Sequence, residues 1–168
     1  MPADKSAISE VAVDSGLFPA EHVGELGGMM DEQLGAEAEG HHWIVKTSDG
    51  GQVLAAAYYA PEALTDGTWN LYFTAVREAA KGTGLGSVLL RHVEEASHKS
   101  TPSPQAPGPP LCSRPRQNGQ RVLIIETSGL DGFERTRSFY LKHGYSEEAR
   151  IRDFYAAGED KVVFWKGL

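Results

Sequence analysis

A single cysteine, Cys112, leaves the chain without an internal disulfide. The six histidines fall at no metal-binding spacing, since His41 and His42 are adjacent and no His-Glu-x-x-His or Cys-x-x-Cys run exists. No metal is expected. No apolar run approaches the length of a membrane span, and no membrane partner is expected. The first residues are polar, with Asp4 and Lys5, and do not read as a secretory signal. Positive charge is scarce. Sixteen Lys and Arg stand against 23 Asp and Glu, a formal charge of −7. That balance disfavours a nucleic-acid partner, whose affinity rests on phosphate neutralisation. It suits a cationic small substrate such as an amine. The expectation is a soluble, cytoplasmic protein.

What is present is 168 residues, 40% hydrophobic, enough for one domain over 1–168 with its own core. A short first strand is expected near Ile8–Val13. Pro19 suits a first helical turn, and Val23, Leu26, Met30 and Leu34 follow at helical spacing. Trp43–Lys46 and Val53–Tyr59 flank Ser48-Asp49-Gly50-Gly51, a hairpin signal. Trp69–Val76 reads as a third strand and Gly84–Ser97 as an amphipathic helix. Residues 98–119 hold six of the nine prolines and read as a disordered loop insert. Arg121–Thr127 fits a buried parallel strand. Asp131 and Glu134 suggest a capping box for a helix through His143. Glu148–Phe154 and Lys161–Trp165 form a last hairpin around Gly158.

The run Lys81-Gly82-Thr83-Gly84-Leu85-Gly86-Ser87 sits between the third strand and the helix. The first N–H groups of a helix have no intrahelical partner, and its dipole adds positive potential there. Glycine lets an anion approach the backbone closely. The loop therefore reads as a pyrophosphate cradle. A dinucleotide fingerprint would need its third glycine one residue later, at Ser87, and no P-loop run exists. Strand, loop, helix and strand make a right-handed crossover between parallel strands. Ligands in such units bind beyond the carboxyl ends of the strands. Those ends carry Val76 on one strand and Glu126, Thr127 and Ser128 on the other.

The glycine run resembles the coenzyme A signature of the GNAT superfamily of N-acetyltransferases, Gln/Arg-x-x-Gly-x-Gly/Ala, with Lys81 at the Gln/Arg position. Phe139-Tyr140-Leu141-Lys142-His143-Gly144-Tyr145 is similar to the motif of that superfamily's last helix. Glu126-Thr127-Ser128-Gly129, Thr136-Arg137-Ser138, Arg152-Asp153-Phe154-Tyr155 and Lys161-Val162-Val163-Phe164 extend the likeness over roughly residues 8 to 167 outside the insert. The resemblance implies a mixed α/β fold. Its sheet has six or seven mostly antiparallel strands with one splayed parallel pair, flanked by about four helices. It implies acetyl-coenzyme A as co-substrate and a small-molecule or protein amine as acceptor, and it is compatible with a homodimer.

By the same resemblance, Val76 offers a backbone N–H to the reacting carbonyl and Tyr140 acts on the leaving sulfur. Val76, Lys81, Gly82, Thr83, Gly84, Leu85, Gly86 and Ser87 hold the coenzyme. An alkylamine is free base in only about one molecule in a thousand at pH 7, so a proton acceptor is useful. Glu126, at a strand end, is the candidate base, and an ion-pairing or orienting carboxylate is the alternative role. Asp66 and Glu62 are further carboxylates on the acceptor side. Phe133 and Thr136 stand where relatives often have Asn and Ala. The expected reaction is direct transfer in a ternary complex. The alternatives are a non-catalytic acyl-coenzyme A sensor or regulatory module, and an unrelated nucleotide-phosphate enzyme.

Overall fold

The computed structural model describes residues 2–17, 20–22, 24, 27, 28, 30, 40–99 and 120–168. The helix expected after Pro19, apart from isolated positions, lies outside them. So does the proline-rich insert beyond residue 99, with Cys112. Among the described residues, six strands form one sheet in the order β1-β2-β3-β4-β6-β5. They are β1 (His42–Thr47), β2 (Val53–Pro61), β3 (Thr68–Val76), β4 (Val122–Ser128), β5 (Ser146–Ala156) and β6 (Glu159–Gly167). Among the described residues three bounded α-helices accompany them, α1 (Pro2–Asp14), α2 (Leu85–Lys99) and α3 (Glu134–Lys142), and Gly24, Gly27, Gly28 and Met30 are also helical. No described helix is long and apolar enough to cross a membrane.

The first strand expected at Ile8–Val13 is not a strand but part of α1. Ile8, Val11 and Ala12 are spaced by three and four, so a helix places all three on one face. All three are buried there, at 2%, 0% and 0% exposure. An extended chain would have turned Val11 away from Ile8 and Ala12.

By backbone contacts the chain divides into two compact units, residues 1–60 with 73–93 and residues 61–72 with 94–168. In the first, Ile8, Val11 and Ala12 pack with Val53, Ala56, Tyr58, Phe73 and Ala75. The β2 alanines at 55, 56, 57 and 60 are all fully buried, as expected of a strand covered on both faces. The β1–β2 turn closes as expected, with Ser48 N–H donating to the Gln52 carbonyl at 2.8 Å and Gly51 at φ +82°.

In the second unit β3 and β4 are parallel, paired from Thr68↔Val122 to Leu71↔Ile125. The ladder ends there although each strand runs on. β4 pairs antiparallel with β6 along its whole length, and β6 with β5. Leu123, Ile125, Val162 and Phe164 are buried at 1% exposure or less. Burying a side chain of that size contributes ~1.5–3 kcal/mol, and Phe164→Ala would cost ~3–5 kcal/mol.

The expected capping box before α3 does not form. A 3-10 turn, Asp131–Phe133, precedes the helix, and neither N-cap residue makes a side-chain cap bond. Ser128 Oγ instead accepts the Leu130 N–H at 3.1 Å, and Arg137 donates to the carbonyls of Ser128 and Leu130 at 2.8 Å each. Gly129 fits a close approach. Its N–H donates to the Asp160 carbonyl at 2.7 Å, and a Cβ there would stand 2.9 Å from the Asp160 Cβ.

Candidate active site

In the first unit β3 ends at Val76, and the next N–H, of Arg77, donates to the Leu54 carbonyl at 2.8 Å. A 3-10 turn, Glu78–Ala80, follows. It is held from outside the loop, by the end of α1. Asp14 Oδ2 accepts the Glu78 N–H at 2.7 Å. Arg77 lies 3.7 Å from Glu10 and 3.9 Å from Asp14, and its Nε donates to the Val53 carbonyl at 3.2 Å. The Lys81 ammonium donates to the Ser15 carbonyl at 2.9 Å and to Glu78 Oε2 at 2.5 Å.

The chain then turns through Gly82 at φ +81° and Gly84 at φ +89°. These are left-handed conformations that side chains rarely adopt. Thr83 Oγ1 ties the turn down by donating to the Ala80 carbonyl at 2.7 Å. α2 starts at Leu85, and the Val88 N–H donates to the Gly84 carbonyl at 3.1 Å. The N–H groups of Leu85 and Gly86 come before that first i→i−4 bond. A Cβ placed at Gly82 or Gly84 would meet nothing within 4 Å. The loop thus has open space, a left-handed turn and a helix N-terminus together, which fits an anionic phosphate.

In the second unit Glu126 is partnered. Its Oε2 stands 2.6 Å from Lys161 Nζ, and that ammonium lies 4.1 Å from the centre of the Phe154 ring. Burial holds the Tyr155 phenol above its usual pKa, and the charges of Glu126 and Glu159 add to the effect. Glu126 pairs with Val163, so Lys161 is its diagonal neighbour on the same face.

Tyr140 is 5% exposed and its ring meets those of Phe139, Tyr145 and Phe164. Tyr145 donates to Glu94 Oε1 at 2.9 Å, and Lys166 reaches the same oxygen at 2.8 Å. Burial first, and then the Glu94 charge, push the Tyr145 phenol far above its usual pKa. Also in this unit, Glu62 Oε2 accepts from Asn70 Nδ2 at 3.3 Å and from the Tyr72 hydroxyl at 2.9 Å. The Asp66 carbonyl receives Arg121.

The sequence model of the Acetyltransferase (GNAT) family matches residues 11–100. The chain belongs to the GNAT acetyltransferase family. A protein from Desulfovibrio desulfuricans assigned to that family is 30% identical, with a TM-score of 0.79 over 99% of this chain and 94% of the other. The fold is also similar to that of the ribosomal-protein-S18-alanine N-acetyltransferase of Escherichia coli. That pair is 16% identical, with a TM-score of 0.68 over 99% and 89% of the two chains. An aminoglycoside 6'-N-acetyltransferase complexed with coenzyme A is 14% identical, with a TM-score of 0.70 over 99% and 92%. Among curated proteins no sequence match was found.

In this GNAT chain the expected coenzyme residues, Val76 and Lys81 to Ser87, follow one another along a single turn into α2. Lys81 is engaged by Glu78 and the Ser15 carbonyl. Glu126 stands with Lys161 and Tyr155, and Tyr140 stands in an aromatic cluster. Sequence reasoning missed Asp14, which braces the turn ahead of the glycines, because the contact spans 64 positions. It missed Lys161 because the pairing depends on hairpin register. The alternation Lys161, Val163 opposite Glu126 was the available signal.

Proposed function

We propose that this protein transfers an acetyl group from acetyl-coenzyme A to a primary amine, by direct attack in a ternary complex. The observation that carries the reading is the turn at Gly82 and Gly84 feeding the first turn of α2. Family membership supports acetyl transfer as the chemistry. Bound acetyl-coenzyme A supplies the activated acetyl group. The N–H groups of Leu85 and Gly86 hold its pyrophosphate, while Lys81, matched by Glu78 and the Ser15 carbonyl, braces the turn. The Val76 N–H polarises the acetyl carbonyl, a kind of donor worth ~3–4 kcal/mol in enzymes that rely on one. Glu126 accepts the proton of the attacking amine, and the Tyr140 hydroxyl protonates the departing sulfur.

Release of free thiol from acetyl-coenzyme A, measured across a panel of amines, tests the reaction. Calorimetry of a Gly86→Val variant tests the cradle. Gly86 lies inside α2 and has no positive φ, so a side chain there is tolerated by the backbone but crowds the phosphate. Coenzyme affinity should fall in the folded variant. Unchanged affinity in the folded variant removes the loop from the site. Binding without turnover across the whole panel favours a sensor.

A further inference from the structure

A mostly buried cation, Lys161, organises the β5–β6 hairpin. Its side chain is 13% exposed, and among the described residues its charge partner is Glu126. The ring of Phe154 covers the ammonium from 4.1 Å. Phe154 reaches it because the ladder slips. Ile151 pairs with Lys161, the next pair is Ala156 with Glu159, and residues 152–155 stand opposite residue 160 alone. A bulge of this kind re-aims the side chains it carries.

The slip is locked at Asp153. It takes φ +53°, a left-handed conformation that costs a residue with a side chain energy. Its N–H donates to Asp160 Oδ1 at 3.1 Å, and its own Oδ1 accepts the Gly158 N–H at 2.7 Å. Asp160 is held in turn by Arg150 at 3.6 Å, and its carbonyl receives the Gly129 N–H just past β4. The bulge that carries Phe154 is therefore tied to the strand end that carries Glu126.

The carboxylate is engaged on one side only. Oε2 of Glu126 stands against Lys161, and among the described residues no group donates to Oε1. An ammonium is a compact point charge, so it occupies one oxygen and leaves the other. The last torsion of a glutamate is broad, and without a partner the carboxylate would turn freely.

We propose that Lys161 is a positioning residue of the acyl transfer, holding Glu126 by Oε2 so that Oε1 is the oxygen offered to the amine. The proposal rests on the acetyltransferase reading, with Glu126 as its base. As the amine nitrogen bonds the acetyl carbon, its proton passes to Oε1. The sulfur leaves with the proton of Tyr140, and solvent takes up the first proton and restores the second. The ammonium stays against Oε2 throughout, with the attraction between the two reduced while the carboxyl is protonated.

Thiol release by the full chain with the best amine of the panel tests this in a double-mutant cycle. Lys161→Met keeps an apolar stem against Phe154 and removes the ammonium. It should lower kcat by about tenfold or more, part of what a positioned base supplies, while KM for acetyl-coenzyme A stays within about twofold. In a Glu126→Gln background the same change should cost no further turnover. A folded Lys161→Met enzyme with unchanged kcat overturns the proposal. So does an equal loss with and without Glu126, the mark of a lysine that only supports the fold. Should Lys161→Met fail to fold, Phe154→Leu decides, since Phe154 is half-exposed. Losing the ring face should lower kcat by about two- to fivefold, and only where Glu126 is present. Unchanged kcat there overturns the proposal. A wild type that releases no thiol with any amine overturns the acetyltransferase reading and this inference with it. Wild-type turnover that Lys161→Met leaves intact overturns this inference alone.

Discussion

Tyr140 is the residue where packing and chemistry are hardest to separate. Its ring is almost fully buried among Phe139, Tyr145 and Phe164. Tyr140→Phe keeps those ring contacts and removes one oxygen. If the hydroxyl protonates the leaving sulfur, turnover should fall by ~10²–10⁴-fold or somewhat less. Coenzyme affinity should hold, and a donor with a better leaving group should suffer less. Full turnover, with chemistry rate-limiting, makes the residue a packing tyrosine. Glu126 poses the opposite problem, since its carboxylate is already matched by Lys161 at 2.6 Å. As a base it must give up part of that contact. Glu126→Gln should then lower turnover and remove or move the acidic limb of the pH–rate profile, with coenzyme binding retained. A wild-type profile with a lowered melting temperature would mark Glu126 as the partner of Lys161 only. Lys161, with a side chain only 13% exposed, would lose its counter-charge.

Among the elements, α1 has a role that its sequence did not announce. Its apolar face fills the first unit's core, and its last residue, Asp14, holds the turn that precedes the glycines. Asp14→Ala removes the acceptor for the Glu78 N–H and weakens the grip on Arg77. Glu78 is exposed, so the stability loss should be modest, ~1 kcal/mol. The informative readout is coenzyme affinity, which should weaken by up to about tenfold if the turn loosens. An unchanged affinity would show that Gly82 to Ser87 hold their shape without α1.

For the whole molecule, alkaline pH is the revealing condition. Tyr145 binds its proton more tightly folded than unfolded, because it is buried against Glu94. Its contribution is complete below the unfolded pKa of about 10 and is lost as pH rises above it, since only the unfolded chain then releases the proton. The loss is up to about 1.4 kcal/mol per pH unit for one proton. Tyr145→Phe should be less stable at neutral pH by ~1.5–3 kcal/mol, the value of a hydrogen bond to a charged group. Its melting temperature should fall less steeply than the wild type's between pH 9.5 and 11, measured by thermal melts across that range. Parallel curves would mean that Tyr145 does not keep its proton there.

The sequence by itself determined what depends on neighbours along the chain. The strand at 69–76, the glycines at 82, 84 and 86 and the helix behind them are local patterns, and together they carried the likeness to the GNAT family. The hairpin at Ser48–Gly51 and the last hairpin around Gly158 were legible for the same reason. Tertiary structure decided what depends on distant partners. A stretch containing Ile8, Val11 and Ala12 is short enough to read as a strand or as a helix, and burial against β2 and β3 settles it as a helix. The Lys161 that matches Glu126 is chosen by cross-strand register. Periodicity fixes which face a residue takes, but a charge or a lone pair finds its partner only where the chain returns.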